Sequence, residues 1–194
     1  MIAIIDYRTG NLRSVMNALA RLGADYTLTA DVREIHRASH VLLPGVGNAA
    51  EAMNNLRSSG LIPTILELRK PVLGICVGMQ VMCRHSAEGN VDCMGIFDSS
   101  VRKFEPAPEL KVPHTGWNTI GNLESKLFKG IESGSFVYYV HSYYACLCPD
   151  TIATTHQGIL YSAALKYENF YGVQFHPEKS GRVGELILKN FLEL

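Results

Sequence analysis

The stretch Pro71-Val72-Leu73-Gly74-Ile75-Cys76-Val77-Gly78-Met79-Gln80-Val81-Met82 limits what this chain can fold into more than any other. An apolar run of this kind reads as a buried strand that breaks at Cys76 and continues as a helix. Gly74 and Gly78 flank Cys76 with the spacing of Gly-x-Ser-x-Gly, where strand and helix meet so tightly that side chains would collide. Such a nucleophile elbow pushes the cysteine out at the turn. Its sulfur then sits near a helix N-terminus, whose dipole and free N–H groups favour thiolate over thiol. The competing reading is a small buried thiol in a core strand, the usual fate of a free cysteine. The elbow reading therefore depends on partners elsewhere in the chain.

The flanking sequence supplies a frame for an elbow. Met1 to Ile5 is a β-branched run that predicts the first, central strand, followed by the loop Asp6-Tyr7-Arg8-Thr9-Gly10-Asn11. Leu12, Val15, Met16, Leu19 and Leu22 then recur on one helical face, with Gly23 at the left-handed C-terminal cap. A second strand is expected at Tyr26 to Leu28 and a third at His40 to Leu43. Pro44-Gly45-Val46-Gly47 turns the third into a helix capped by Asn48, with Glu51 three residues on. Alternating strands and helices imply an α/β fold with a parallel sheet. Gly45-Val46-Gly47-Asn48-Ala49-Ala50 also matches Gly-x-Gly-x-x-Ala, but that dinucleotide fingerprint belongs to the first strand–helix turn, and Glu67 lies in a helical pattern rather than at a strand end. What survives is a glycine backbone able to approach a ligand and offer N–H groups to developing negative charge.

Beyond Arg84 short β-branched and aromatic runs take over, at Phe97 to Phe104, Trp117 to Ile120, Phe136 to Tyr144 and Tyr161 to Tyr167, with a loop at Glu105-Pro106-Ala107-Pro108. They predict an antiparallel supplement to the sheet. No compositional break marks a linker, so residues 1–194 are expected to form one domain. Eighteen basic residues balance eighteen acidic ones, which gives nucleic acid no electrostatic footprint. The apolar start ends at Asp6 without a basic leader, so a cytoplasmic protein is expected. Five cysteines cannot all pair, and their irregular spacing suits reduced thiols. Cys146 and Cys148 are expected on one strand face as core side chains. Cys83, His85 and Cys93 lack the paired spacing of a zinc module, and no metal is expected.

The chain closes with a strand at Tyr171 to Phe175, the loop His176-Pro177-Glu178-Lys179-Ser180, and a helix presenting Val183, Leu186, Ile187 and Phe191 to the core. Pro177 biases His176 to an extended conformation, in which residues two apart point the same way. Glu178 can then hold one ring nitrogen while the other faces Cys76, the logic of a nucleophile, base and orienter. For His-Pro-Glu alone an ordinary surface loop would be the better reading; the elbow and this loop together favour catalysis.

These motifs resemble those of the class I, or triad, glutamine amidotransferases, along the whole chain. The resembling stretches are Asp6-Tyr7 with Gly10-Asn11, Pro44-Gly45-Val46-Gly47, Gly74 to Gln80, Gly116-Trp117-Asn118 and Val173 to Ser180. Within that family they look most like the glutaminase subunits of histidine biosynthesis, although Arg8 and Thr115 stand where those usually carry Gly and Met. The resemblance implies a single-domain, flavodoxin-like fold and hydrolysis of glutamine to glutamate and ammonia without a cofactor. It also implies a heterodimer with a (β/α)₈ cyclase subunit that receives the ammonia and makes imidazole glycerol phosphate. By the same likeness Cys76 is the nucleophile, His176 the general acid and base, and Glu178 its orienter. Gly45, Val46, Gly47 and Val77 supply the oxyanion hole. Gln80, Ser142 and Tyr143 bind glutamine, and Asn11, Trp117, Tyr138 and Lys179 meet the cyclase. A glutaminase serving pyridoxal phosphate or anthranilate synthesis, a cysteine hydrolase on a related elbow, and a non-catalytic docking subunit are the rival readings.

Overall fold

The computed structural model describes residues 1–8, 10, 12–106 and 110–194. Of the expected loops, Thr9 and Asn11 of the one at 6–11 and Ala107 and Pro108 of the one at 105–108 lie outside the described residues. The amino-terminal half alternates as its sequence dictates: β1 (Ile2–Ile5), α1 (Arg13–Arg21), β2 (Tyr26–Thr29), α2 (Val32–Arg37), β3 (His40–Gly45), α3 (Ala49–Ser58), α4 (Leu61–Glu67), β4 (Val72–Cys76) and α5 (Val77–Gln80). The apolar face of α1 buries Val15, Ala18 and Leu19. Gly23 ends that helix at φ +66°, its N–H donating to Ala20 O at 3.0 Å and the Ala24 N–H to Leu19 O at 3.1 Å, the paired bonds of a Schellman cap. Asn48 Oδ1 caps α3 as expected, accepting from the N–H groups of Ala50 at 2.8 Å and Glu51 at 3.2 Å. The short α2 carries no apolar stripe and buries only Ile35. Asp31 starts it, and Lys70 Nζ donates to its terminal carbonyls Ile35 O, His36 O and Ala38 O.

The remaining elements are β5 (His85–Ser86), β6 (Val91–Asp92), β7 (Ser100–Lys103), β8 (His114–Ile120), β9 (Ser135–His141), β10 (Tyr143–Ala145), β11 (Thr151–Gln157), β12 (Ile159–Tyr167), β13 (Phe170–Val173) and α6 (Gly181–Leu192). Among the described residues the main sheet has eleven strands in the order β2-β1-β3-β4-β13-β12-β10-β7-β5-β6, with β11 on β12. The run from β2 to β13 is parallel, and antiparallel pairing begins at β12. The α/β class, the parallel core and the antiparallel supplement are thus as the sequence predicts.

Several boundaries differ. The aromatic run Phe136 to Tyr144 is two strands in two sheets, broken at Ser142: β9 pairs with β8 in a separate ribbon, and β10 joins the main sheet. The third strand runs past Leu43 to Gly45, carrying Pro44 opposite Ile75. Cys146 and Cys148 follow β10 rather than lie on it, half-buried, with Cys146 O accepting from the hydroxyls of Ser99 and Ser162. On α6 the buried face holds Gly184, Ile187, Leu188 and Phe191, and Leu186 sits at its margin. A Cβ on Gly184 would collide with Pro177 O, so the glycine lets α6 dock directly under the His176 loop. No helix among the described residues is long and apolar enough to cross a membrane.

Candidate active site

Three loops leave the carboxyl ends of β3, β4 and β13, which lie side by side in register: Gly45 opposite Cys76, and Ile75 opposite Val173. Ligands of open parallel sheets bind at such an edge. Cys76 has φ +54° and ψ −112°, a conformation that L side chains avoid and that the surrounding structure must enforce. What enforces it is the close approach of strand and turn. A Cβ on Gly78 would run into Leu43 O, and one on Gly74 would lie 2.8 Å from the Gly78 carbonyl group and the Met79 nitrogen. The helix after the elbow is a single turn, shorter than the sequence pattern suggests, so its dipole contributes less to the thiolate than a full helix would.

His176 and Glu178 are brought together, but by a different local geometry than the sequence suggests. Only His176 is extended, at φ −98° and ψ 97°; Pro177 opens a 3₁₀ turn over Pro177–Lys179 that folds Glu178 back. His176 Nδ1 and Glu178 Oε1 are 2.8 Å apart, with the two side chains 5% and 4% exposed. Burial opposes a charge on His176, yet hydrogen bonds and charge from Cys76 and Glu178 outweigh it and push its pKa up to about 10. Cys76 and His176 line the same cavity, so the three groups form one constellation. The loop is tied to β9 on both sides: the His176 N–H donates to Tyr138 O at 2.8 Å, and the Tyr138 N–H to Ser180 Oγ at 2.9 Å.

A cavity of about 170 Å³ opens over the cysteine. Of the expected site residues, Val46, Gly47, Cys76, Val77, Gln80, Ser142, Tyr143, His176 and Lys179 line it. Gly45 lies beneath, where a Cβ would meet the Val77–Gly78 peptide and, at 2.9 Å, Tyr7 Oη; close approach rather than torsion is what demands glycine there, whereas Gly47 at φ +93° needs it for torsion. Val77 opens a helix, so its N–H is one of the donors a helix leaves without an internal partner. Trp117 and Tyr138 lie outside the cavity on the β8–β9 ribbon, edge to face at 5.8 Å. Asn11 lies outside the described residues. Cys83, His85 and Cys93 do not converge, and among the described residues no group of three or more His, Cys, Asp or Glu is placed to hold a metal ion.

Sequence reasoning gave no role to Glu88 or Gln174, and it placed His141 only in the glutamine-pocket stretch with Ser142 and Tyr143. Glu88 lines the cavity with an acidic group, half-buried, its Oε2 accepting from the Ala49 N–H at 2.8 Å. No motif signals it; the bend after the elbow carries it back. His141 lines the cavity and joins His114 in a buried pair, His114 Nδ1 to His141 Nε2 at 3.1 Å. Tyr143 O can only accept, so His141 Nδ1, 2.7 Å away, carries the hydrogen and its Nε2 accepts from His114. Burial pushes His114 down to about 4 and His141 to about 3, keeping both neutral.

That pair predicts an acid liability. Both folded-state values lie below the unfolded value near 6.5, so between about pH 6.5 and 4 the unfolded chain binds more protons and stability falls with falling pH. A series of thermal melts should show Tm dropping through that window, and His114→Asn should flatten the slope. An equal slope in that variant would mean the pair is not the source.

The sequence model of the family described as "Glutamine amidotransferase class-I" matches residues 3–194. Imidazole glycerol phosphate synthase subunit HisH of Bacteroides thetaiotaomicron is 53% identical over 194 residues, covering 100% of this chain and 99% of that one. The protein of the same name from Bacteroides fragilis is 55% identical with the same coverage. Among solved structures, a glutamine amidotransferase superposes with TM-score 0.76 at 15% identity, over 100% of this chain and 98% of the other. A glutamine amidotransferase from Thermotoga maritima gives 0.66 at 20% identity, over 99% and 80%.

Proposed function

The chain belongs to the class I glutamine amidotransferases, and on that basis we propose that it is the glutaminase subunit of an imidazole glycerol phosphate synthase, a cytoplasmic heterodimer with a (β/α)₈ cyclase. Residues 1–194 act as one amidotransferase domain. The observation that carries the reading is the buried Cys76–His176–Glu178 array at three adjoining strand ends, with Glu178 2.8 Å from the imidazole.

The Cys76 thiolate attacks the side-chain amide carbon of glutamine. The negative oxygen is received by the Val77 N–H and by the Gly45-Val46-Gly47 turn. His176, protonated while its pKa stands near 10, gives its proton to the departing ammonia. Water, deprotonated by His176, then cleaves the thioester and releases glutamate. Glu178 fixes the ring and its charge throughout. Gln80, Ser142 and Tyr143 hold the substrate, and Glu88 supplies the carboxylate that an α-ammonium group would pair with.

The cyclase is proposed to sit on the ribbon face carrying Trp117 and Tyr138, with Lys179 beside it and Asn11 as a further contact. Trp117 is 55% exposed and Phe136 58%, an apolar strip of the kind that marks a docking surface. Pressure on it reaches the catalytic loop through one strand, since Tyr138 holds His176 and Ser180 through its own backbone. Glutamate release should be slow from the isolated chain and rise when the cyclase binds its ligand. Lys179→Ala should weaken the complex by about 1 kcal/mol or less while lowering that stimulation. Failure to bind a (β/α)₈ cyclase would overturn the assignment and favour another synthase.

A further inference from the structure

We infer that Gln174 is a further catalytic group of this site: its side-chain N–H holds the Cys76 sulfur as thiolate, in an orientation dictated from behind by the Tyr143 carbonyl. The inference rests on the reading of Cys76 as the nucleophile. Parallel register sets Val173 opposite Ile75, so Gln174 leaves its strand beside Cys76. Its side chain is fully buried, and Nε2 lies 3.6 Å from Cys76 Sγ.

An amide can be turned either way round, and the direction here is fixed by its neighbours. The fixed point is a backbone carbonyl, which only accepts. Gln80 Nε2 lies 3.1 Å from Tyr143 O and therefore donates to it. The second hydrogen of the same nitrogen goes to Gln174 Oε1 at 2.9 Å. Gln174 must then turn its own nitrogen to the sulfur. Reversing it would set two NH₂ groups against each other and aim an oxygen at Cys76, a buried mismatch on both sides.

The donor matters because the other neighbour of the sulfur disfavours charge. Val140 O lies 3.9 Å from Sγ, where it accepts the S–H of a neutral thiol but repels a thiolate. Gln174 and His176 offset that repulsion. Tyr7 is held as a neutral phenol by burial and by the Cys76 charge, with its hydroxyl donating to Pro44 O at 2.8 Å.

Two replacements of similar size separate a role at the sulfur from one in packing. Gln174→Met removes donor and acceptor together. Gln174→Glu keeps an oxygen for Gln80 but sets the other against the sulfur. Alkylation of Cys76 by iodoacetamide is followed against pH by peptide mass, with the remaining thiols as internal controls, alongside glutamate release by the complex with cyclase. In Gln174→Met the alkylation midpoint should rise by about one pH unit, an effect of about tenfold at pH values below both midpoints. Gln174→Glu should shift it further, and in both kcat should fall with KM within about twofold. A wild-type midpoint and turnover in Gln174→Glu would overturn the inference, because a merely structural glutamine is replaced there without loss. Should Gln174→Met fail to fold, Gln174→Glu decides alone. The midpoint is read on the sulfur itself, so it supports or overturns the contact whether or not glutamate release depends on Cys76.

Discussion

Cys76→Ala is expected to lower glutamate release by on the order of 10⁴-fold or more, to background, while free ammonium still drives synthesis by the paired cyclase. The substitution removes the attacking atom and leaves the cavity, the Gly45-Val46-Gly47 turn and the ribbon in place. It also removes a cause of the high His176 pKa, which stands near 10 through its bonds and charge interactions with Cys76 and Glu178. The sign follows from linkage: a histidine raised in the fold adds stability that is complete below about pH 6.5 and is lost as pH rises through the folded value. In Cys76→Ala the folded value should move down, and that window should narrow from its alkaline end. A proton NMR titration of His176 checks this independently of activity. Glu178→Gln provides the contrast. Its amide oxygen can still accept from the imidazole, so orientation persists while the charge is lost, and the rate should fall substantially but incompletely. Glutaminase activity retained in Cys76→Ala would remove the nucleophile from the scheme.

The parts of this site that were legible in the sequence are those whose chemistry is local. Gly74, Cys76 and Gly78 stand within one turn, and the clashes that a Cβ would make at both glycines follow from their spacing. His176 and Glu178 are neighbours in the chain, so their pairing could be read even though the 3₁₀ turn that achieves it could not. What stayed hidden depends on register and on how distant segments return. Gln174 meets Cys76 because β13 and β4 align at Val173 and Ile75, and nothing in either segment states that alignment. The buried pair His114 and His141 forms because β8 and β9 pair at those residues, in a ribbon separate from the main sheet. The break at Ser142 was equally invisible: an unbroken aromatic run gives no sign that its two ends belong to different sheets. Glu88 reaches the cavity only because the chain bends back after the elbow.

Gly78→Ala should be the most damaging small substitution in the chain, costing more than about 4 kcal/mol and eliminating turnover even where some folded protein remains. The methyl group would enter the space of Leu43 O, with Leu43 C at 2.9 Å and Pro44 C at 3.3 Å. These are backbone atoms of β3 paired to β4, Leu43 opposite Gly74 and Pro44 opposite Ile75, so they cannot withdraw without disturbing that ladder. Relief would have to come from the elbow, which would shift the Val77 N–H and the Cys76 sulfur that depend on it. Gly74→Ala should cost less, since its Cβ would stand 2.8 Å from the nearest atoms, Gly78 C, Gly78 O and Met79 N, a shallower overlap than the one at Gly78. Gly23→Ala should cost only about 1 kcal/mol, because that glycine at φ +66° has open space around it and carries a torsional penalty alone. Urea unfolding of the three variants would rank them. If Gly78→Ala unfolded within about 1 kcal/mol of the wild type, strand and turn would not be as tightly apposed as these distances require, and the strained torsion of Cys76 would lack its cause.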